Sequence, residues 1–294
     1  MKIISGSTSC KLAAQLAKLM NVELLNTKVS NFSDGELKVQ VHGSIGSDVI
    51  IVQSTSQPVN DSLMELLLLT DTAKRAGAKN IIAVIPYFGY ARQNMSFEKN
   101  SPISVSLVIK MLECAGVTQV ITLDLHSKQI EGIFNISVKN LEVTDLFLPI
   151  IKDQENKIIV TPDIGGISRA RIYSKMLRVD LAIMNKTREY NDECVINGII
   201  GDVKNKNCFI IDDIIDSAST ICLAAELLHN NGAQSINALI THGVLSSNAL
   251  QKVEKSHLTK LYITDSINLN QDTNKITILP IVNLIYSQIS NNMF

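Results

Sequence analysis

Short apolar runs rich in β-branched residues recur along this chain and constrain its fold more than any other feature. Each run is a few residues long and is followed by a segment with helical periodicity. Continuous apolar runs of this length are typical of strands buried on both faces of a mostly parallel sheet. The sequence therefore predicts an α/β fold with helices flanking the sheets. The predicted strands are Lys2–Ile4, Val49–Val52, Ile81–Ile85, Val120–Leu123, Ile158–Val160, Leu181–Met184, Cys208–Ile211, Ile236–Ile240 and Leu261–Ile263.

Helical periodicity fills several of the intervals between these strands. Ser62 and Glu65 have the spacing of a capping box and predict a helix start there. Ala76-Gly77 and Asn231-Gly232 predict helix ends, because glycine adopts the left-handed conformation found after the last helical turn. The predicted helices are Leu12–Met20, Ser62–Ala76, Ser104–Cys114, Ser168–Leu177 and Thr220–Asn230.

The two halves of the chain resemble each other. Lys2-Ile3-Ile4 recurs as Lys157-Ile158-Ile159, and the Gly-Ala turn at Gly77 recurs at Gly232, in both cases 155 residues later. Each pair keeps the order strand, helix, glycine turn, strand. We therefore predict two tandem copies of one α/β domain. The predicted domains are residues 1–143 and residues 144–294.

Composition excludes several classes of partner. The formal net charge of −1 provides no overall field for nucleic acid or an anionic membrane, and the absence of Trp argues against base-stacking surfaces. The five cysteines are far apart and never in C-x-x-C spacing, which is typical of free thiols in a reducing cytosol. Every apolar run is too short to span a bilayer. We expect a soluble, cytoplasmic protein without nucleic-acid or membrane partners.

One motif carries most of the chemical information. The predicted strand Cys208–Ile211 runs directly into two acids, Asp212 and Asp213, and then into a loop of small hydroxylic residues that opens a helix. Backbone N–H groups and hydroxyls in such a loop bind phosphate, while carboxylates suit sugar hydroxyls or a metal ion. The motif therefore indicates a phosphoribosyl site, and a simple helix cap is the weaker interpretation. The loop residues are Asp216, Ser217, Ala218, Ser219 and Thr220.

Weaker signals follow other predicted strands. Asp163, beside the pair Gly165-Gly166, is a candidate ligand for Mg²⁺ or a sugar, although a plain turn explains the spacing equally well. A lone histidine such as His126 is more often structural than a ligand. Lys186 and Arg188 have the charge to clamp a triphosphate, but most such pairs are solvated surface. The segment 31–36 is most simply a hairpin loop.

Taken together, the motifs resemble those of the ribose-phosphate diphosphokinases over nearly the whole chain. That family is built from two phosphoribosyltransferase-like domains, in agreement with the internal repeat. The matching segments are 32–36 (FSDGE), 60–66 (NDSLMEL), 85–93 (IPYFGYARQ), 124–130 (DLHSKQI), 162–166 (PDIGG) and 201–203 (GDV).

The resemblance implies a reaction and a set of site residues. The reaction is transfer of the diphosphate of Mg-ATP to the C1 hydroxyl of ribose 5-phosphate, which gives phosphoribosyl diphosphate and AMP. A loop that reaches into a neighbouring subunit's site implies a homo-oligomer. The implied roles are Mg²⁺ binding by His126 and Asp163, ATP binding by Arg92, Gln93 and His126, adenine binding by Phe32, Asp34 and Glu36, catalysis by Lys186 and Arg188, and ribose 5-phosphate binding by Asp212, Asp213 and residues 216–220.

The sequence also departs from the family pattern. Ser219 stands where the phosphate loop of the family usually has glycine, and Asn94-Met95 follows Arg92-Gln93 where the family usually has an acid and a base. A serine would be strained if that position needed positive φ. These departures leave open a non-catalytic paralogue that serves as a binding or regulatory subunit. A nucleobase phosphoribosyltransferase is a third alternative, favoured by the 212–220 segment alone.

Overall fold

The computed structural model describes residues 1–96, 98–188, 194–269 and 273–292. Within them the chain forms two seven-stranded sheets and divides into two compact units. Unit 1 comprises Met1–Leu141, Ser266–Asn268 and Pro280–Phe294, and unit 2 comprises Glu142–Asp265 and Leu269–Leu279. The α/β fold predicted from the sequence is confirmed.

Unit 1 contains a sheet with the strand order β3-β2-β1-β4-β5-β6-β7. Only the β2–β3 pair is antiparallel, and the other neighbours are parallel. Three helices that connect strands of this sheet are α1 (Cys10–Met20), α2 (Val59–Arg75) and α3 (Ser104–Ala115). The strands are β1 (Lys2–Ser5), β2 (Leu24–Asn31), β3 (Leu37–His42), β4 (Asp48–Val52), β5 (Asn80–Ile85), β6 (Gln119–Leu123) and β7 (Ser137–Leu141).

Unit 2 repeats this topology strand for strand. Its order is β10-β9-β8-β11-β12-β13-β14, and again only the hairpin pair β9–β10 is antiparallel. The strands are β8 (Lys157–Thr161), β9 (Leu181–Arg188), β10 (Cys194–Ile200), β11 (Asn207–Ile215), β12 (Ser235–Gly243), β13 (Lys260–Thr264) and β14 (Ile276–Leu279). The remaining helices are α4 (Thr144–Lys152), α5 (Ile167–Leu177), α6 (Ser219–Asn230), α7 (Ala249–Lys255) and α8 (Val282–Asn292).

All nine predicted strands and all five predicted helices are present, with ends that differ by a few residues. Gly77 and Gly232 follow helix ends with φ of 94° and 80°, as predicted. The predicted capping box is wrong. The helix α2 begins at Val59, one turn earlier, so Ser62 and Glu65 lie inside it and are buried.

The last helix of each half packs in the other unit. The helix α4, which follows the last strand of the first sheet, contacts α5 in unit 2. The helix α8, which follows the last strand of the second sheet, contacts α1 in unit 1. Residues 266–268 and 280–294 therefore group with unit 1, whereas the sequence-based boundary assigned them to the second domain.

The central strands are buried on both faces, which explains their continuous apolar sequences. Ile3 and Ile4 in β1 and Ile50 and Ile51 in β4 are fully buried. The same holds for Ile158–Val160 in β8. Among the described residues, no helix is both long and apolar enough to cross a lipid bilayer.

Candidate functional site

Three acidic residues meet at the carboxyl ends of two neighbouring strands in unit 2. The strands β8 and β11 are parallel, and Val160 pairs with Ile210. Asp163 follows the end of β8, while Asp212 and Asp213 lie beyond the last β8 pair on β11. The carboxyl ends of parallel strands form the usual ligand-binding edge of an open α/β sheet. The structure thus brings together the acids that the sequence singled out separately.

The segment after β8 is a tight turn that fixes the Asp163 side chain. One carboxylate oxygen of Asp163, Oδ1, accepts the N–H of Gly166 at 2.9 Å, and Thr161 Oγ1 donates to the Asp163 carbonyl at 2.8 Å. A Cβ atom on Gly166 would lie 2.5 Å from Thr161 Oγ1, which is too close for any larger residue. The glycine is therefore required for the turn. Within the described part of the chain, the second carboxylate oxygen of Asp163 accepts no hydrogen bond and can bind a ligand.

Asp212 and Asp213 occupy a crowded, acidic environment. Asp213 is 4% exposed, its N–H donates to Asp212 Oδ1 at 2.9 Å, and Arg169 Nη1 lies 3.4 Å from Asp213 Oδ1. Burial first, and then the Asp213 carboxylate, raise the pKa of Asp212 well above its ordinary value, while Arg169 acts in the opposite direction. Sugar hydroxyls or a cation at this point would relieve the charge crowding.

Arg169 is a site residue that sequence reasoning missed. It lies in the first turn of α5, directly after the Asp163 turn, and its side chain is 19% exposed. Its partner Asp213 is 44 residues further along the chain. The sequence does contain a local sign of this role. Arg169 follows an acidic strand end and lies in the first turn of a helix, where the helix dipole disfavours a cation.

The loop between β11 and α6 is short and tightly held. Ala218 is the left-handed residue, with φ 62° and ψ −1°, and is 3% exposed. Ser219 is the first residue of α6 and does not have positive φ. The strain that would have accompanied serine at a left-handed position is therefore absent at Ser219. The N–H of Ser246 donates to the Asp216 carbonyl at 3.1 Å and ties the loop to the segment after β12.

A second residue missed by the sequence analysis reaches this loop from α7. Lys252 Nζ donates to Ser219 Oγ at 2.8 Å and to the Ser217 carbonyl at 3.2 Å. Ser217 and Ser219 also contact each other through their hydroxyls at 3.3 Å. Lys252, which is 33 residues from Ser219 in the sequence, therefore places a positive charge at the start of α6.

In unit 1 the candidate ATP contacts follow the neighbouring strands β5 and β6. Arg92, Gln93 and His126 are all exposed. Gln93 Oε1 accepts the hydroxyl of Ser104 at 2.6 Å, which joins the loop after β5 to the start of α3. Because β5 and β6 are adjacent and parallel, their carboxyl ends lie at one edge of the sheet. The departure at Met95 places a 51% exposed apolar side chain in the same loop.

Phe32, Asp34 and Glu36 lie in the tip of the β2–β3 hairpin, so the hairpin interpretation of this segment is confirmed. The turn is closed by the Phe32 N–H to Glu36 carbonyl bond at 2.8 Å. Residues 26–31 of β2 pair with β3 and not with β1, which extends the hairpin by about 20 Å at 3.3 Å per residue. The Phe32 side chain is 51% exposed, and Lys38 Nζ lies 5.6 Å from its ring centre.

Lys186 and Arg188 lie on the corresponding hairpin of unit 2. Both are on β9, and the pairing with β10 extends to Arg188 opposite Cys194. Their side chains, and residues 189–193, lie outside the part of the chain that the structure describes. Each unit thus carries candidate functional residues on an antiparallel hairpin at the equivalent edge of its sheet, β2–β3 in unit 1 and β9–β10 in unit 2.

Two α/β units of one topology, one of which has acids at a strand end followed by a hydroxylic loop and helix, define a tandem pair of phosphoribosyltransferase-like domains. The model for the N-terminal domain of ribose phosphate pyrophosphokinase matches residues 1–116, and that of the phosphoribosyl synthetase-associated domain matches residues 190–292. The chain belongs to the ribose-phosphate pyrophosphokinase family, and it is a diphosphotransferase of that kind.

Individual relatives match over nearly their whole length. The ribose-phosphate pyrophosphokinase of Helicobacter hepaticus is 45% identical over 286 residues, which cover 96% of this chain and 93% of the relative. That of Campylobacter jejuni is 45% identical over 283 residues, with 95% and 92% coverage. The crystal structure of phosphoribosylpyrophosphate synthetase from Mycobacterium smegmatis matches with a TM-score of 0.93 at 32% identity, covering 99% of this chain and 98% of that one. Matches that span both units favour this family over a nucleobase phosphoribosyltransferase.

Proposed function

We propose that this enzyme transfers the diphosphate of Mg-ATP to the C1 hydroxyl of ribose 5-phosphate, giving phosphoribosyl diphosphate and AMP. The observation that carries the proposal is the end of β11, where Asp212 and Asp213 precede the hydroxylic loop at the start of α6. Acceptors for sugar hydroxyls and donors for a phosphate follow one another within a few residues, as a ribose phosphate requires.

Ribose 5-phosphate would bind with its phosphate on residues 216–220. The backbone N–H groups at the start of α6 have no helical partners, and the helix dipole favours an anion there. The hydroxyls of Ser217, Ser219 and Thr220 add donors. The carboxylates of Asp212 and Asp213 would accept bonds from the ribose hydroxyls, which replaces their mutual repulsion by charge-assisted hydrogen bonds.

ATP would be held by residues of unit 1. Arg92 supplies a cation for the phosphate oxygens, and Gln93 and His126 supply further hydrogen-bonding groups. The exposed ring of Phe32 offers an apolar face to an adenine, with Asp34 and Glu36 as acceptors for its amino group. We propose that this hairpin serves the site of a neighbouring copy, so the active form is a homo-oligomer.

The acidic strand ends of unit 2 fit a bound Mg²⁺. Carboxylate oxygens are the ligands that this ion prefers, and it usually binds through one or two carboxylates together with substrate phosphates. The described residues hold no cluster of three or more His, Cys, Asp or Glu side chains that would bind a metal without substrate. We propose Asp163 and His126 as the residues that would hold Mg²⁺. When bound, Mg²⁺ would neutralise phosphate charge.

The reaction itself is an in-line displacement. The C1 hydroxyl attacks the β-phosphorus of ATP, the bond from that phosphorus to the bridging oxygen of the α-phosphate breaks, and AMP leaves. Lys186 and Arg188 would stabilise the charge on the transferring group. Loss of a comparable cation from a phosphoryl-transfer site lowers the rate by ~10³-fold or more.

The non-catalytic alternative loses part of its motivation. One of the two departures behind it was Ser219 in place of a glycine, but Ser219 is helical and the left-handed position belongs to Ala218. Retention of Asp163, Lys186 and Arg188 further favours a working enzyme.

The test is AMP formation from Mg-ATP with and without ribose 5-phosphate. We expect ribose-dependent AMP from the wild type and a ~10³-fold lower rate from Lys186→Ala. Lys204→Ala, an exposed lysine in the loop after β10, is the matched control and should retain full activity. A folded wild type that forms no AMP with ribose 5-phosphate would sink the proposal.

A further inference from the structure

The environment of Lys252 differs from that of a solvated surface lysine. Its side chain is half-buried and crosses from α7 to the start of α6, where Nζ donates to Ser219 Oγ at 2.8 Å and to the Ser217 carbonyl at 3.2 Å. Among the described residues, no carboxylate lies within ion-pairing distance of it. Lys252 therefore holds its charge against the loop without a counter-charge.

This position is electrostatically unfavourable in the free protein. The N-terminus of a helix carries a partial positive charge, so it favours anions and disfavours cations. The helix α6 is 12 residues long and has no acidic residue in its first turn to offset the ammonium. The Lys252 ammonium and the partial positive charge at the start of α6 repel each other in the free protein. An anion bound between them would be attracted by both.

A neighbouring lysine shows the opposite arrangement. Lys275 Nζ donates to the carbonyls of Val253 at 3.4 Å and Ser256 at 2.7 Å, at the carboxyl end of α7. A cation there caps orphan carbonyls and complements the negative end of the helix, so a structural role explains it fully. The same role does not explain a lysine at the start of α6.

We propose that Lys252 binds the phosphate of ribose 5-phosphate, an assignment that rests on the proposed function of the β11–α6 loop. An ammonium group has three N–H donors, and the two bonds to the loop leave one for a phosphate oxygen. Ser219 Oγ and the Ser217 carbonyl then position the ammonium before substrate arrives. The preferred ligand is a phosphomonoester dianion.

The experiment compares Lys252→Met with the wild type and with Lys255→Met, an exposed lysine on the same helix. We expect the KM for ribose 5-phosphate to rise about 10- to 100-fold in Lys252→Met, as for loss of one hydrogen bond to a charged group. The KM for ATP and the melting temperature should stay close to those of the wild type. Lys252→Arg should retain most of the affinity, because it keeps the charge.

A pH profile separates phosphate binding from support of the loop. The second pKa of a phosphomonoester is about 6. The wild type should lose affinity for ribose 5-phosphate as the pH falls through that range, and Lys252→Met should show a much smaller change. An unchanged KM, or a raised KM with the same pH profile as the wild type, would overturn the assignment.

Calorimetric titration of ribose 5-phosphate into each protein separates this proposal from the function on which it rests. If the wild type and Lys252→Met bind ribose 5-phosphate with equal affinity, the role of Lys252 is refuted and the substrate assignment stands. Absence of binding by the folded wild type refutes the substrate assignment and the lysine together. Weaker binding in Lys252→Met and unchanged binding in Lys255→Met supports both.

Discussion

The two units share one topology, but the side chains at the carboxyl ends of their central strands differ in role. In unit 1 the loop after β1 points its donors at a protein side chain: Ser7 donates to Glu65 through its N–H at 2.6 Å and its hydroxyl at 2.5 Å. Glu65 is 3% exposed and lies on α2. A carboxylate of the protein thus occupies the position at which a loop of this kind would bind an external anion.

Internal hydrogen bonds also fill the carboxyl end of the neighbouring strand β4 in unit 1. Gln53 Oε1 accepts the N–H of Thr8 at 3.1 Å and its hydroxyl at 2.7 Å, and a Cβ atom on Gly6 would meet that oxygen at 2.2 Å. Ser54 donates to the Ser266 carbonyl at 2.5 Å. Gln53 and Ser54 are fully buried. Where unit 2 has Asp212 and Asp213, unit 1 has a satisfied hydrogen-bond network.

The comparison shows that the backbone alone does not make a phosphoribosyl site. Both sheets direct loops and helix starts to the carboxyl edge. In unit 2 the described residues at this edge include crowded carboxylates and a lysine that no described carboxylate pairs with. Unsatisfied or repelling groups reduce stability and are retained where a ligand relieves them. At the carboxyl ends of β1 and β4, unit 1 has internal hydrogen bonds where unit 2 has its acids, and its candidate ATP contacts follow β5 and β6 at the same edge of the sheet.

Among the variants that test the difference between the two units, Asp212→Asn in unit 2 should have the largest effect. The amide loses the charge-assisted bonds to the ribose hydroxyls, and two such bonds are worth about 3 kcal/mol or more, which corresponds to at least ~100-fold in kcat/KM for ribose 5-phosphate. The measurement is ribose-dependent AMP formation. Asp180→Asn, whose exposed carboxylate lies 3.3 Å from Lys206, is the control and should have wild-type activity. Equal losses in both variants would contradict the role of Asp212.

Glu65→Ala in unit 1 should lower the stability of the protein and leave its substrate contacts in place, whereas Asp212→Asn should lower activity. Loss of the carboxylate leaves two donors of Ser7 without their partner and should lower the free energy of unfolding by about 2 kcal/mol. Denaturant unfolding measures the change. Glu65→Gln keeps one acceptor and should lose about half as much.

The same variant offers a sharper test of the comparison. If Glu65 stands in for an anion, then sulfate should raise the melting temperature of Glu65→Ala more than that of the wild type. Equal sulfate dependence in the two proteins would show that the loop after β1 lacks the geometry of an anion site. AMP formation by Glu65→Ala, measured well below its melting temperature, should stay within a few-fold of the wild type.

The raised pKa of Asp212 predicts a stability difference that depends on pH. The folded protein holds the Asp212 proton more tightly than the unfolded chain does, so the stability from this group is complete below its ordinary pKa of 3.8 and is lost as the pH rises through the raised value. Asp212→Asn, measured without Mg²⁺, should therefore melt at a higher temperature than the wild type at pH 8. The difference should shrink as the pH falls toward 4. A difference independent of pH would contradict the charge crowding.

The sequence predicted the strands that are buried on both faces and missed those at or near the sheet edges. The strand β3 alternates between exposed and half-buried residues, and β7 carries polar residues, so neither shows a continuous apolar run. The helix α4 contains Pro149, which argues against a helix interior. The seven residues of α7 are too few for a clear period.

Site prediction failed where contacts join distant parts of the chain. The loop 212–220 was identified because its residues are contiguous. Lys252 and Arg169 act on that loop or its acids from 33 and 44 residues away, and no local pattern indicates either partner. Glu65 was assigned to a capping box because its distant partner Ser7 was not evident from spacing. Local spacing predicts caps and turns, whereas tertiary packing decides which acid meets which donor.

The smallest expected effects distinguish the two adjacent residues at the start of α6. Ala218 is left-handed, so Ala218→Gly removes backbone strain and, after the entropy of the unfolded chain, should raise stability by about 0.5 kcal/mol. Ser219 is helical and accepts the Lys252 bond, so Ser219→Gly should lower stability by about 1 kcal/mol. Thermal unfolding of both variants measures the signs. A more stable Ser219→Gly would mean that the left-handed position is 219, and serine would then be a strained substitute for glycine.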